Sequence, residues 1–181
     1  MRAVNLRVES EEVLYTQDAV TKIDKNDIES LKSRALGNVR ERARLCTHLS
    51  VDDAVHEMLI VHTAGTYIRP HKHADKSESF HIVEGRLDIV MFDDQGGVQE
   101  LIELGEYSSG YPFFWRINES RYHTVIPRTA IVVFHETTGG PFVRATSFVP
   151  APWSPEEGDA PAVARYQKDL ENMIPRTTPT A

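Results

Sequence analysis

Two histidines and one glutamate in the middle of the chain have residue types and a spacing that suit metal binding. His71 and His73 stand two residues apart, and Glu78 follows after a short polar break. On an extended segment such a pair points to one side. If the chain turns back after His73, Glu78 comes to lie beside the imidazoles, and this ligand set suits a divalent transition metal. The alternative is an exposed polar loop.

Glycines bracket this group at fixed distances. Gly65 precedes His71 by six residues and Gly85 follows Glu78 by seven. The stretch resembles the first motif of the cupin superfamily, G-x5-H-x-H-x4-E-x6-G, at every defined position. The resemblance implies a bound metal and a further histidine ligand from a later strand.

Three histidines stand further along the chain and compete for that role. His81 alternates with the inward positions of its strand, so it is predicted to face away from the site. His123 ends a degraded form of the second family motif, P-x-G-x-x-H, with Asn118 and Ser120 at the first and third positions. The resemblance therefore implies His123 as the fourth ligand, and His135 on the next strand is the fallback.

Composition bounds the class of protein. The chain has 181 residues, of which 40% are hydrophobic and 26% charged, and its formal net charge is −7. These values are typical of a globular domain and argue against a nucleic-acid partner. The single cysteine, Cys46, excludes an internal disulfide and fits a reducing compartment. The sequence has no signal-peptide pattern and no apolar run of membrane-spanning length, so we expect a cytoplasmic protein without a membrane partner.

The pattern of apolar segments divides the chain into three parts. Residues 53–149 form a run of short apolar segments at hairpin spacing, typical of an antiparallel barrel. Residues 1–52 form an N-terminal extension with a helix and a strand, and residues 150–181 form a Pro-rich C-terminal extension with a short helix over about 160–173. The pattern predicts a mostly β fold with an N-terminal and a C-terminal helix. The resemblance to the cupin superfamily implies that the barrel is a cupin-type double-stranded β-helix (jelly-roll barrel).

The N-terminal helix has clear end signals. Asp24 or Asp27 can cap its start, and Gly37 marks its end. Its apolar stripe must pack on the barrel or on a second subunit. Because this helix and exposed sheet edges both need covering, we expect a homodimer.

Further polar residues are candidates for contact with a small-molecule substrate. Arg44, Cys46 and His48 share one face of a predicted strand, which either lines the metal pocket or is a solvated edge. Arg69 and Tyr67 fall on the face of His71 if the strand is regular. Arg69 then pairs with an acidic substrate group or is solvated, and Tyr67 acts as an acid or base or packs as a core aromatic. We predict Arg44, Cys46, His48 and Arg69 as substrate-binding residues, and Tyr67 and Arg69 as catalytic residues.

The resemblance extends beyond the motifs. Over about residues 24–160, the order of the segments ARLCTH, MLIVHTAGTYIRPHKH, ESFHIVEGRLDIVMFDDQG, YHTV, TTGGPF and APWSPEEGD resembles the WbuC-family cupin-fold metalloproteins. That family takes its name from members encoded among genes of bacterial surface-polysaccharide biosynthesis. The resemblance implies a metal-bound double-stranded β-helix and no particular reaction.

These observations predict one divalent transition metal ion, Zn, Fe, Mn or Ni, held by three imidazoles and one carboxylate. Such an ion keeps open positions and can act as a Lewis acid in an isomerase, epimerase or lyase on a small sugar-like or acidic metabolite. The alternatives are an iron-dependent dioxygenase and a non-catalytic, metal-dependent small-molecule binding protein.

Overall fold

The computed structural model of the chain describes residues 4–174, which form twelve strands and three helices. The strands are β1 Leu6–Val8, β2 Val13–Thr16, β3 Arg42–Cys46, β4 Val55–Thr63, β5 His71–Lys72, β6 Glu78–Glu84, β7 Arg86–Phe92, β8 Val98–Gly105, β9 Phe114–Ile117, β10 Tyr122–Pro127, β11 Ile131–Gly139 and β12 Val149–Pro150. The helices are α1 Lys25–Leu36, α2 Arg144–Ser147 and α3 Ala160–Met173, with a 3₁₀ turn at Tyr107–Ser109.

The strands form two sheets that pack face to face. One sheet has the order β1-β2-β3-β4-β11-β6-β9, and the other has the order β12-β5-β10-β7-β8. Side chains from both sheets, among them Phe134 and Ile82 from the first and Leu87 and Ile89 from the second, make one buried core. The predicted mostly β jelly roll with a helix before and after it is confirmed.

Strand β6 shows how alternation builds the inner face. Glu78, Phe80 and Ile82 are buried, whereas His81 and Val83 on the opposite face of the strand are exposed. The turn that follows depends on Gly85, whose φ is +82°. A Cβ at this position would lie 2.4 Å from the Thr129 hydroxyl oxygen, so a side chain is excluded on both counts.

Helix α1 begins and ends where its capping residues predict. The side chains of Asp24 and Asp27 form a reciprocal capping box, and Gly37 is the C-terminal cap. Leu31 and Ala35 are buried against the outer face of the seven-stranded sheet. The helix therefore docks on its own barrel, which decides between the two alternatives that its stripe left open.

The N-terminal strands continue the barrel sheet. Strand β2 runs parallel to β3, and β3 is antiparallel to β4. The register aligns Tyr15, Cys46 and Met58 in one row that belongs to the inner core. The predicted extension 1–52 is thus hydrogen-bonded to the predicted barrel segment 53–149 across β3 and β4.

The C-terminal extension covers the other sheet. Helix α3 packs Leu170 against Val90, Phe92 and Tyr122 of the five-stranded sheet. Asp159 caps its start by accepting a hydrogen bond from the Ala162 amide. The short C-terminal helix is confirmed, while residues 1–3 and 175–181 of the two predicted extensions lie outside the described residues.

The segment before the first histidine differs from its prediction as a long strand. Only His71 and Lys72 pair with neighbouring strands, and residues 66–70 are irregular. Pro70 has no amide hydrogen to donate to a ladder. Among residues 4–174, no helix is long and apolar enough to cross a membrane.

Candidate metal centre

Three histidines converge inside the barrel. His71 on β5 lies directly opposite His123 on β10, and His73 follows one residue after β5. One ring nitrogen from each lies within 4.8 Å of one from each of the others, a group that can hold a metal ion. His71 and His123 are almost fully buried, with 9% and 1% of their surface exposed. The predicted return of the next strand beside the first is wrong, because β5 belongs to the five-stranded sheet and β6, which carries Glu78, belongs to the seven-stranded sheet. The two strands face each other across the barrel.

The outer nitrogen of each imidazole is bound to a backbone carbonyl. Nδ1 lies 3.0 Å from the Arg69 oxygen in His71, 3.1 Å from the Arg121 oxygen in His123 and 2.5 Å from the Ser147 oxygen in His73. Because a carbonyl oxygen only accepts, we assign the proton to Nδ1 in all three rings. In the neutral form of each ring Nε2 then carries the lone pair, the arrangement that ligating histidines use, whereas a protonated ring donates from Nε2 as well.

Glu78 completes the cluster. Its Oε1 lies 3.2 Å from Nε2 of His73, and its Oε2 lies 3.1 Å from Nε2 of His123. Carboxylate oxygens and unprotonated Nε2 atoms are all acceptors, so this approach is repulsive unless a proton or a cation lies between them. The four residues predicted as ligands are therefore brought together in an arrangement that fits a divalent ion.

The ionisation of these groups also suits a cation. Burial would raise the pKa of Glu78, but hydrogen bonds and positive charge from His123 and His73 outweigh it and hold that pKa well below its usual range. Burial, reinforced by His123, lowers the pKa of His71 to about 3. At neutral pH the carboxylate is thus ionised and His71 is neutral, the forms that bind metals.

Burial would likewise lower the pKa of His73, yet the hydrogen bond and charge of Glu78 raise it above its ordinary value. The negative charge responsible would attract a cation equally well. The raised pKa of His73 is therefore another sign that positive charge is favoured at this point.

Aromatic rings wall the cluster. Phe148 stacks on the His71 ring with centroids 4.2 Å apart and an interplanar angle of 21°. Trp115 lies 5.8 Å from the His123 ring. The segment that carries Phe148 is also the one whose Ser147 carbonyl binds His73. These contacts restrict the access of water to one side of the histidines.

Glu136 on β11 is a site residue that the sequence analysis missed. It lies opposite Phe80 on one side and Met58 on the other, so it belongs to the inner face. It is the diagonal neighbour of Glu78 on the adjacent strand, and burial together with the charge of Glu78 raises the pKa of Glu136 to about 8. Alternation from Phe134 along AIVVFHE was the signal that could have found it.

Strand β3 brings its polar residues to the same inner face. Arg44 is aligned with Ile60, and Cys46 with Met58. Burial raises the pKa of Cys46 to about 11, so its thiol is a poor nucleophile at neutral pH. Arg44 is exposed and forms no ion pair in the described residues. His48 lies 3.2 Å from the Glu57 carbonyl through Nδ1.

Tyr67 and Arg69 bind a different part of the chain. The Tyr67 hydroxyl donates to the Pro155 carbonyl, and Arg69 donates to the side chain and carbonyl of Ser154. The irregular backbone of residues 66–70 breaks the alternation on which their predicted facing depended. Their contacts hold the C-terminal segment, and a catalytic role for either residue stays a prediction.

The remaining downstream histidines lie outside the cluster. His81 is exposed, which confirms its predicted facing. His135, the fallback ligand, pairs with His81 and so shares its outward face. A cavity of about 330 Å³ lies between α3 and β10, lined by Tyr67, Tyr166 and their neighbours, and none of the four candidate ligands lines it.

The strand order, the two packed sheets and the converging histidines define a cupin-fold protein with a candidate metal site. A family profile described as "Domain of unknown function (DUF6016)" matches residues 23–104. No curated protein matches the chain. The profile therefore covers part of the chain, and its description gives no activity.

Solved structures resemble the fold at low identity. A protein of Shewanella oneidensis is 11% identical with a TM-score of 0.53, over 78% of this chain and 90% of that one. A cupin domain from Schizosaccharomyces pombe is 11% identical with a TM-score of 0.43, over 55% and 64%. A cupin superfamily protein of Desulfitobacterium hafniense is 14% identical with a TM-score of 0.40, over 53% and 76%. At these identities a likeness shows the fold alone.

Proposed function

We propose that this chain is a metal-binding cupin in which His71, His73, Glu78 and His123 hold one divalent transition metal ion. The observation that carries the proposal is the direction of the imidazoles. Each Nδ1 is committed to a backbone carbonyl, and two of the three Nε2 atoms face the carboxylate oxygens of Glu78 at 3.1 and 3.2 Å. A cation between these acceptors converts a repulsive arrangement into a favourable one.

The proposed reaction is a Lewis-acid isomerisation, epimerisation or lyase step on a small sugar-like or acidic metabolite. A divalent ion with three neutral imidazoles and one carboxylate keeps a net charge of about +1 and, at octahedral coordination, two open positions. When bound, such an ion polarises a carbonyl or chelates vicinal oxygens. Phe148 and Trp115 exclude water from one side, and the carboxyl of Glu136 lies next to Glu78.

The finer assignments are also proposals. The resemblance to the WbuC family supports a place in surface-polysaccharide biosynthesis. Arg44, Cys46, His48 and Arg69 remain candidates for substrate contact, and Zn, Fe, Mn and Ni remain candidates for the ion. The exposed edge strand β1 supports a homodimer, and a cytoplasmic location stays a prediction.

The test is the metal content of protein purified without a metal-affinity column, measured by mass spectrometry. We expect about one divalent ion per chain in the wild type and in His81→Ala, since His81 is an exposed histidine outside the site. His71→Ala and His73→Ala should lose the ion. Full retention in both variants would overturn the ligand assignment. Iron together with substrate-dependent oxygen consumption would indicate the dioxygenase, and tight ligand binding without turnover would indicate a binding protein.

A further inference from the structure

Arg44 is an arginine whose charge is left available on the inner face. The other strand arginines have side-chain partners: Arg7 binds Glu9, Arg42 binds Glu12, Arg86 binds Glu103 and Arg116 binds Ser77. In residues 4–174 the Arg44 guanidinium forms no hydrogen bond or ion pair. Its neighbours in the row are Val13 and Ile60, which pack in or against the core.

The charge of Arg44 is therefore available to an acidic partner from outside the chain. A guanidinium gains most from a planar, two-pronged acceptor such as a carboxylate or a phosphate. The side chain is exposed, so an incoming molecule can reach it. The positive charge of Arg44 opposes the burial that raises the pKa of Glu136 and of Tyr15, and all three residues stand on the inner face of the seven-stranded sheet.

Glu136 is the inner-face residue that stands between Arg44 and the metal centre in the order of the strands. It stands on β11, while Arg44 stands on β3, and β4 runs between these two strands. Two inter-strand steps separate the backbones by about 10 Å, since each step is about 4.8 Å. On the other side of β11, Glu78 stands on β6 and is the diagonal neighbour of Glu136, since Glu136 is paired with Phe80 and Thr138 with Glu78. Diagonal neighbours on one face of a sheet are close enough for long side chains to meet. In the order of the strands, Glu136 therefore lies between Arg44 and a proposed metal ligand.

We propose that Arg44 and Glu136 form one substrate subsite, in which Arg44 binds a carboxylate or phosphate and Glu136 hydrogen-bonds a hydroxyl next to the metal-bound oxygens. This inference rests on the proposed metal centre and names its substrate class as an acidic polyol, a sugar acid or a sugar phosphate. Neither residue needs to touch the metal for the role.

The experiment uses the full-length protein loaded with Co²⁺, whose visible absorption reports ligands at the metal. Three four-carbon probes share a vicinal diol: erythritol is neutral, 3,4-dihydroxybutanoate carries a carboxylate and erythritol 4-phosphate carries a phosphate. Each is titrated against the wild type, Arg44→Gln, Glu136→Gln and the control Arg165→Gln. Arg165 is an exposed arginine on α3, so this control removes the same charge away from the site.

We expect at least one acidic probe to bind the wild type and Arg165→Gln about 10-fold or more tightly than erythritol, as a charge-assisted pair allows. The acid with the larger gain identifies the anion as a carboxylate or a phosphate. Arg44→Gln should reduce the preference to within about 2-fold, the level expected once the charge-assisted pair is gone. Glu136→Gln should weaken all three probes by similar factors while leaving cobalt bound.

An acid preference that survives in Arg44→Gln overturns the subsite, as does unchanged binding in Glu136→Gln or the absence of any spectral response to the probes in protein that holds cobalt. Loss of cobalt from the wild type is a different result, because it overturns the proposed metal centre itself. Metal content is therefore measured before each titration. Thermal unfolding of Arg44→Gln and Arg165→Gln at matching temperatures shows that the two variants fold alike.

Discussion

Two groups of buried histidines in this protein differ in what their rings face. Ring nitrogens of His71, His73 and His123 converge, and Nε2 of both His73 and His123 faces the carboxylate of Glu78. His48 and His56 instead stack face to face, with centroids 4.1 Å apart and an interplanar angle of 3°. The histidines of both groups stand on strands or within two residues of one, and most of them are buried. Burial alone therefore does not distinguish the two groups.

The two groups differ in whether a carboxylate faces their imidazole rings. Near the stacked pair, Asp53 accepts hydrogen bonds from the amides of Leu49 and Ser50, so its oxygens serve the backbone. Burial is the largest influence on His48 and His56 and lowers the pKa of each. Imidazoles without a converging carboxylate thus make a packed, neutral pair, whereas the same rings around Glu78 make a site for positive charge.

The largest effect that this comparison predicts is on metal affinity. His71→Ala and His123→Ala each remove a proposed ligand, and we expect affinity to fall more than about 100-fold, because the loss of outer-shell support alone costs 10- to 100-fold. Chelator competition with zinc measures it. His48→Ala is the matched control from the stacked pair and should keep full affinity. A similar loss in His48→Ala would erase the distinction between the two groups.

Replacing the carboxylate tests the other half of the comparison. Glu78→Gln keeps the shape of the side chain but removes the charge that faces two Nε2 atoms, so we expect zinc affinity to fall by roughly 10- to 100-fold. The variant should also lower the pKa of His73, since the charge of Glu78 raises it. Titration by NMR measures that pKa. Unchanged zinc affinity would show that the histidines alone suffice.

His62 extends the comparison to a buried ring whose Nδ1 has no hydrogen-bond partner among residues 4–174. Burial lowers its pKa to about 3 from an ordinary value near 6.5. The unfolded chain therefore binds more protons between these values, and stability falls as the pH falls through that window. From pH 6.5 to pH 5 the loss assignable to His62 is at most about 2 kcal/mol.

The variant His62→Leu should lack this part of the pH dependence. Urea unfolding at the two pH values measures the difference, with the exposed His81→Leu as the control that should keep the full dependence. An equally steep loss of stability in His62→Leu and the wild type would contradict a neutral, buried His62.

The smallest expected effect concerns the stacked pair itself. His56→Gln removes one ring of the pair and should cost about 1 kcal/mol of the free energy of unfolding, the usual range for an aromatic pair. Metal content should remain that of the wild type. A loss of several kcal/mol would mean that the pair does more for the fold than its packing indicates.

Local features were predictable from the sequence because their causes lie within a few residues. The capping aspartates and Gly37 set the ends of α1, and the alternation of β6 placed His81 outward. These features depend on hydrogen bonds and side-chain directions that the nearby chain determines. The spacing of His71, His73 and Glu78 is local in the same sense.

The prediction of His123 as the fourth ligand depended on the resemblance to a known family, because local patterns did not supply it. Nothing near His123 in the sequence says which strand lies beside it. The structure pairs that strand with the one that holds His71.

Contacts between distant segments were not predictable in this way. Residues 66–70 read as a regular strand, but Tyr67 and Arg69 bind a segment more than eighty residues later. Those contacts draw both side chains to the C-terminal segment. Glu136 was missed for the opposite reason, because its importance comes from a neighbouring strand that places Glu78 within reach of it.

The sequence by itself determined the ligand types, their spacing and a mostly β fold of short strands, since periodicity and turn residues act over short distances. The jelly-roll topology was expected from the family resemblance. Only the tertiary structure decided which rings point at a carboxylate, that α1 packs on its own barrel and that Arg44 and Glu136 flank one strand of the inner face. The physical reason is that sheet register joins residues far apart in the chain. No local pattern specifies which strand becomes the neighbour of another.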